Sequence, residues 1–200
     1  MSPEPRRAVV VASLVLSLLV FALALGAPLL VKAAGIETSK QRAAARVDVD
    51  LSEVVTYEIE DRTHVVGDVE YGQSPPVGGP HMPQWLDCGV YDEPLPDEYV
   101  VHDLEHGTIW ITHDPDLQEK DVAALAGDLP ANGILSPYPG QDAPVVVTVW
   151  NAQLELTGAD DPRLELFIAE YGDGHTSAEP MVGCFGGLGL ADLPASGKAA

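Results

Sequence analysis

Basic side chains are scarce: 10 Lys and Arg face 31 Asp and Glu, a formal net charge of −21 over 200 residues. A surface this negative repels a phosphate backbone, which excludes nucleic acid as a partner and leaves cations and basic proteins. Cysteine is scarcer still, with only Cys88 and Cys184 and no Cys-x-x-Cys pair, so the dithiol redox motif is absent. There is no Walker loop and no Ser-His-Asp spacing, and the glycines between Gly183 and Gly189 do not lead from a strand into a helix, so a dinucleotide fingerprint fails on context. The length excludes a large multidomain enzyme and allows one domain with a short appendage. What is present can fold: 46% of residues are apolar and 20% charged, enough to bury a core. The 19 glycines and 17 prolines point to many turns and away from a helical bundle.

Residues 8–31 carry no charge and follow Arg6 and Arg7. At about 1.5 Å per residue this run covers a hydrocarbon core of about 30 Å. The arginine pair before it and the acidic chain after it predict a single-pass protein of the cell membrane, its C-terminal domain on the extracytoplasmic side. A cleaved signal peptide is the alternative, since Val31-Lys32-Ala33 has the small residues of a cleavage site, but its apolar core is usually about 7 to 15 residues. The organisation read from composition is a cytoplasmic N-terminus and transmembrane anchor at 1–33, a juxtamembrane tether at 34–53, an extracytoplasmic globular domain at 54–185 and a flexible tail at 186–200. Beyond residue 46 only Arg62, Lys120, Arg163 and Lys198 are basic, against 29 acids, which leaves −25 on the folded part. In an oxidising compartment pairing is the default for Cys88 and Cys184, with free thiols or metal thiolates as alternatives.

Alternation at Val55, Tyr57 and Ile59 predicts a first strand, and Gly107–Thr112 and Val145–Trp150 predict two more, the last central, with Leu154 and Leu156 continuing the sheet at an edge. Asp114-Pro115 and Asp161-Pro162 each start a helix, running to Gly127 and Gly172, with Leu117, Val122 and Leu125 on the inner face of one and Leu164, Phe167, Ile168 and Tyr171 on that of the other. Between Gly72 and Pro96 prolines and glycines prevent regular pairing, and such loops tend to be functional. The fold class is therefore α+β, one mainly antiparallel sheet with about two helices and long Pro/Gly-rich loops, preceded by one transmembrane helix.

Five of the six histidines stand at 64, 81, 102, 106 and 113, and two of them flank His102-Asp103-Leu104-Glu105-His106-Gly107. On a helix, a spacing of four places both imidazoles on one face, about 5 to 6 Å apart at Cβ, close enough to share an ion. His81 ends a Pro/Gly loop and His64 follows the first strand, so both can fold back onto this hexapeptide. An imidazole shell from His81, His102 and His106, completed by His64 or Glu105, suits Zn or Cu, and Met82 and Met181 add a faint Cu(I) signal. The order H-x-x-E-H also occurs in inverted zinc peptidases, where the glutamate activates water. There it lies inside a long helix, whereas Gly107 ends any helix here at once. Two alternatives to metal binding stay open: a non-catalytic cell-envelope interaction module with a structural His/Glu network and an acidic face for a basic partner, and a metal-dependent hydrolase with Glu105 as base. Asp97, Glu98 and Asp103 could accept from ring N–H groups. The direction of His113 is not settled by alternation, and His175 reads as exposed loop.

Together the N-terminal anchor, His64-Val65, Val69-Glu70-Tyr71, Pro75-Pro76-Val77-Gly78-Gly79-Pro80-His81, Trp85-Leu86-Asp87-Cys88-Gly89-Val90-Tyr91, Val101-His102-Asp103-Leu104-Glu105-His106-Gly107, Ser136-Pro137-Tyr138-Pro139 and Ala178-Glu179-Pro180 resemble one family. It is the one catalogued as domain of unknown function 3105, typical of actinobacterial membrane-anchored proteins. Asp103 stands where serine is commoner in that family, and Val149-Trp150-Asn151 where Ala-Trp-Gly is usual. The resemblance implies an anchored outer domain and brings no activity with it, so the metal reading rests on the residues.

Overall fold

The computed structural model describes residues 49–180 and 182–193. The apolar run at 8–31, the tether up to residue 48 and Met181 lie outside the described residues. The chain divides into two units, Met1–Val49 and Asp50–Ala200, and every described residue except Val49 belongs to the second. Among the described residues no helix is long and apolar enough to cross a membrane.

The second unit is α+β. Its strands are β1 (Val55–Thr56), β2 (Gly89–Val90), β3 (Ile109–His113), β4 (Gly133–Pro137), β5 (Val145–Val149) and β6 (Ala152–Leu156), in sheet order β1-β6-β5-β3-β4-β2. The helices are α1 (Asp97–Glu105), α2 (Glu119–Asp128) and α3 (Arg163–Tyr171). The expected mainly antiparallel sheet is corrected to a mixed one, because β4 pairs in parallel with both β3 and β2 while β3, β5, β6 and β1 are joined antiparallel. The cause is α2, which carries the chain from β3 across one face of the sheet and returns it in the same direction, as a strand-helix-strand crossover must. The expected first strand shrinks to two residues at the sheet edge, where Val55 is 51% exposed and has nothing to bury against. With β1 beyond it, β6 is an interior strand.

Alternation along the strands builds two cores on opposite faces. Ile109, Ile111, Val145, Val147, Leu154 and Leu156 meet Leu125 of α2 and Leu164 and Phe167 of α3. On the other face Trp110, Ile134 and Trp150 meet Tyr99, Val100, Val101 and Leu104 of α1 together with Met82 and Leu86 from the loop. The helices expected on the first face are present, although α2 starts only at Glu119 because Asp114 first closes a turn onto the Asp116 amide. Helix α1 lies on the second face and is a third helix among the described residues.

The Pro/Gly segment turns inward at its first prolines and glycines: Pro75 to Gly79 are buried. Asn151 donates its amide to the Val77 carbonyl at 2.8 Å, and Gln153 donates to the Pro75 carbonyl at 3.0 Å. Gly78 and Gly79 have φ of 144° and 131°, a region that side chains disfavour, and a Cβ on Gly78 would sit 3.1 Å from Ile59. Cys88 and Cys184 form the disulfide, joining positions 96 residues apart. Leu188, Leu190 and Leu193, in the stretch expected as the start of a flexible tail, pack against the second core, and Leu188 bridges Leu86.

Candidate metal centre

Three pieces of chain bring the site together. Residues 63–65 lie against His81 through two backbone bonds, Val65 N–H to His81 C=O at 2.7 Å and His81 N–H to Thr63 C=O at 3.1 Å, which sets His64 and His81 side by side. The next residue, Met82, donates its amide to the Glu98 carbonyl on α1 at 3.1 Å, tying this pair to the helix that carries His102 and Glu105. Helix α1 ends at Glu105. His106 caps it in helical conformation and Gly107 turns away with φ 87°, as the glycine had implied.

His64, His81, His102 and Glu105 each offer one ligand atom, and these atoms all lie within 4.8 Å of one another, so the group could hold a metal ion. His81, His102 and Glu105 are buried, while the His64 side chain is 51% exposed and forms the open side. The His81 Nε2 is 3.0 Å from the Glu105 Oε2 and the His64 Nε2 3.8 Å from the same oxygen. The His64 ring stacks on that of His102 with centroids 5.0 Å apart and an interplanar angle of 14°. His106, expected within the same shell, stands one step out: its Nε2 lies 3.1 Å from the His102 Nε2. His113 is buried with its Nδ1 on the Asp114 carbonyl, and His175 is exposed beside Asp173.

The second ring nitrogens decide the chemistry. His81 Nδ1 faces the Gly79 carbonyl at 2.8 Å, His102 Nδ1 the Met82 carbonyl at 2.6 Å and His106 Nδ1 the Gly183 carbonyl at 3.2 Å. A carbonyl oxygen only accepts, so each Nδ1 carries the proton and donates it. In the neutral ring Nε2 is then a bare lone pair, the form in which imidazole binds metals. Removal from water pushes His102 down to about 4, opposed by the bond to the Met82 carbonyl and assisted by the nearby imidazoles of His106, His81 and His64. Burial lowers His106 as well, against the pull of the Gly183 carbonyl.

Several residues that hold this arrangement are not among the candidates drawn from sequence. Asn132 donates to the Gly107 carbonyl and accepts from the Cys184 amide and the Thr108 hydroxyl, fixing the turn after His106 against the disulfide. The Gly183 amide returns a bond to the His106 carbonyl at 3.1 Å. The Trp85 ring stands 5.0 Å from His106 and 5.5 Å from His102, walling the outer side. Glu179 places its Oε2 3.8 Å from the His106 Nε2, and its amide bonds the Glu105 carbonyl. Only Trp85, Glu179 and the paired glycines stood in the motifs quoted above; a bracing carbonyl has no residue type and leaves no mark in a sequence. Asp103, expected from sequence as an acceptor for a ring N–H, is wholly buried and takes the Leu86 amide instead. Desolvation holds its carboxyl well above the usual range, the Leu86 amide on Oδ2 opposes this, and Oδ1 has no partner.

The arrangement differs from that of an inverted zinc peptidase. The helix is nine residues long, Glu105 sits among the donors, and two of the further imidazoles come from loops. A family model described as "Protein of unknown function (DUF3105)" matches residues 64–186, which include every side chain of the centre. The chain belongs to the DUF3105 family. Neither a curated protein nor a solved structure matches it. The function of this DUF3105 domain therefore has to be argued from its own geometry.

Proposed function

We propose that this DUF3105 domain is a metal-binding module, taking Zn(II) or Cu(II) at His64, His81, His102 and Glu105. The observation that carries the reading is the set of backbone carbonyls on Nδ1, which leaves bare Nε2 atoms of His81 and His102 beside a buried carboxylate. Without a cation, lone pairs and a carboxylate would face one another out of water, which is costly. With one, the spacing fits: metal–nitrogen bonds of about 2.0 to 2.1 Å separate tetrahedral donors by about 3.3 Å. His81 and Glu105 are already 3.0 Å apart. Closure then requires movement of His64, the exposed member. Both cysteines are held in the disulfide, so the donors are nitrogen and oxygen, which suits Zn(II) or Cu(II) over Cu(I).

The domain acts outside the cytoplasm, tethered to the cell membrane by residues 8–31, and stores, buffers or senses the ion. This placement is supported by the uncharged run behind Arg6-Arg7 and by a disulfide, which persists in oxidising compartments. A second reading is favoured by the 3.0 Å contact between His81 and Glu105, which is also hydrogen-bond distance. There a protonated His81 pairs with Glu105 as a structural network in a domain that binds a basic partner.

Elemental analysis of the full chain, purified without a histidine tag, separates the two. Metal binding requires about one ion per chain, and His102→Ala should weaken it by on the order of a hundredfold or more, since a ligand counts for at least as much as the groups that orient it. His175→Ala should leave it unchanged. Stoichiometric metal retained by His102→Ala would end the ligand assignment, and a metal-free chain after reconstitution with Zn(II) and Cu(II) would leave the structural network.

A further inference from the structure

We propose that His102 is shared by two overlapping coordination sets, the inner one just described and an outer one of His102, His106 and Glu179 through which a hydrated divalent cation enters and leaves. The inference rests on the metal-binding reading and adds Glu179 as a transit ligand.

The His102 and His106 Nε2 atoms lie 3.1 Å apart, the separation of two donors on one small ion. Both rings have their Nδ1 committed to carbonyls, so no N–H points across the gap when the rings are neutral. The Glu179 Oε2 stands 3.8 Å from the same His106 nitrogen, on a side chain 59% exposed. Its amide is bonded to the Glu105 carbonyl at 2.9 Å, which holds its backbone at the end of α1 while the carboxylate reaches water. The outer set thus runs from a solvated carboxylate, through an imidazole whose side chain is 5% exposed, to an imidazole that also belongs to the inner set.

An imidazole nitrogen has one lone pair and serves one ion at a time. The two sets are therefore exclusive, and an ion bound outside reaches the inner set by exchanging Glu179 and His106 for Glu105 and His81 while His102, braced by the Met82 carbonyl, stays bound. A ligand that touches the ion only in transit lowers the barrier in both directions and leaves the end states alone. Loading and release should depend on Glu179, and equilibrium affinity should not.

The test is Zn(II) exchange on the full, tag-free chain, with stoichiometry and affinity from competition against a chromophoric chelator and release followed by stopped flow. Wild type should bind one ion. Glu179→Gln should keep that stoichiometry and an affinity within about threefold, and slow both loading and release by on the order of tenfold. His81→Gln should keep weak binding of one ion, which is lost when Glu179→Gln is added. Two ions on the wild-type chain, or exchange in Glu179→Gln as fast as wild type, would overturn the shared-ligand route. So would His64→Gln, and not Glu179→Gln, slowing exchange. A wild-type chain that binds no ion defeats the underlying reading instead, an outcome distinct from all of these.

Discussion

Asp97, in the first turn of α1, shows how a single half-buried carboxyl writes itself into stability. Burial raises its carboxyl to about 6, although the Tyr138 hydroxyl donates to Oδ2 at 3.0 Å and opposes the shift. The unfolded chain has the ordinary value near 4, so between about pH 4 and 6 the native state binds the extra proton. Stability contributed by this group is present below pH 4 and lost as pH rises through 6. Asp97→Asn removes that loss and keeps an oxygen for Tyr138. In urea titrations the variant should gain up to about 2 to 3 kcal/mol at pH 8, and nothing at pH 4. A gain of equal size at both pH values would show that ionisation is not the cause. The histidines tell a related story about what a residue reveals alone. Their identity and the spacing of His102 and His106 made the centre legible in sequence, as did the loop glycines before His81. The tautomers were not legible, because they are set by the carbonyls of Gly79, Met82 and Gly183.

At the scale of elements, legibility followed amphipathicity. Helix α3 was readable to within a residue because one stripe packs on the first core, Leu164 and Phe167 buried and Ile168 and Tyr171 partly so, while Glu165, Leu166, Ala169 and Glu170 face water. Helix α1 was not, since every residue from Tyr99 to Glu105 is buried and a helix covered all round has no period to detect. Strand β4 left no signal for a similar reason: five buried residues that include Gly133, Ser136 and Pro137 show neither alternation nor a β-branched run, and without β4 the parallel pairing could not be foreseen. The Pro/Gly loop is the element on which the centre most depends. Gly78→Ala would force a Cβ to 3.1 Å from Ile59 in a backbone conformation that side chains avoid. A loss of about 1 to 3 kcal/mol is expected by chemical denaturation. Zn(II) binding should fall by on the order of tenfold, because the adjacent Gly79 carbonyl orients His81. Lost stability with unchanged affinity would mean that the loop positions nothing.

At the scale of the molecule, the disulfide is the covalent link between distant parts of the described chain. It closes 96 residues, from the loop before β2 to the segment that supplies Gly183. The chain-entropy model gives about 4 to 5 kcal/mol for a loop of that size. Cys88→Ser with Cys184→Ser should lower stability by that order in urea at neutral pH, and reduction of the wild type by a dithiol should reproduce the change. A variant as stable as the parent would show that the hydrophobic seat of Leu188, Leu190 and Leu193 holds this segment unaided.

The donors at 64, 81, 102 and 105 converge through native contacts, the pairing of residues 63–65 with His81 and the bond from Met82 to α1. An unfolded chain presents solitary imidazoles, which compete poorly for any cation. On the proposed reading, metal binding follows folding, and a chelator added during refolding should not slow the recovery of native structure.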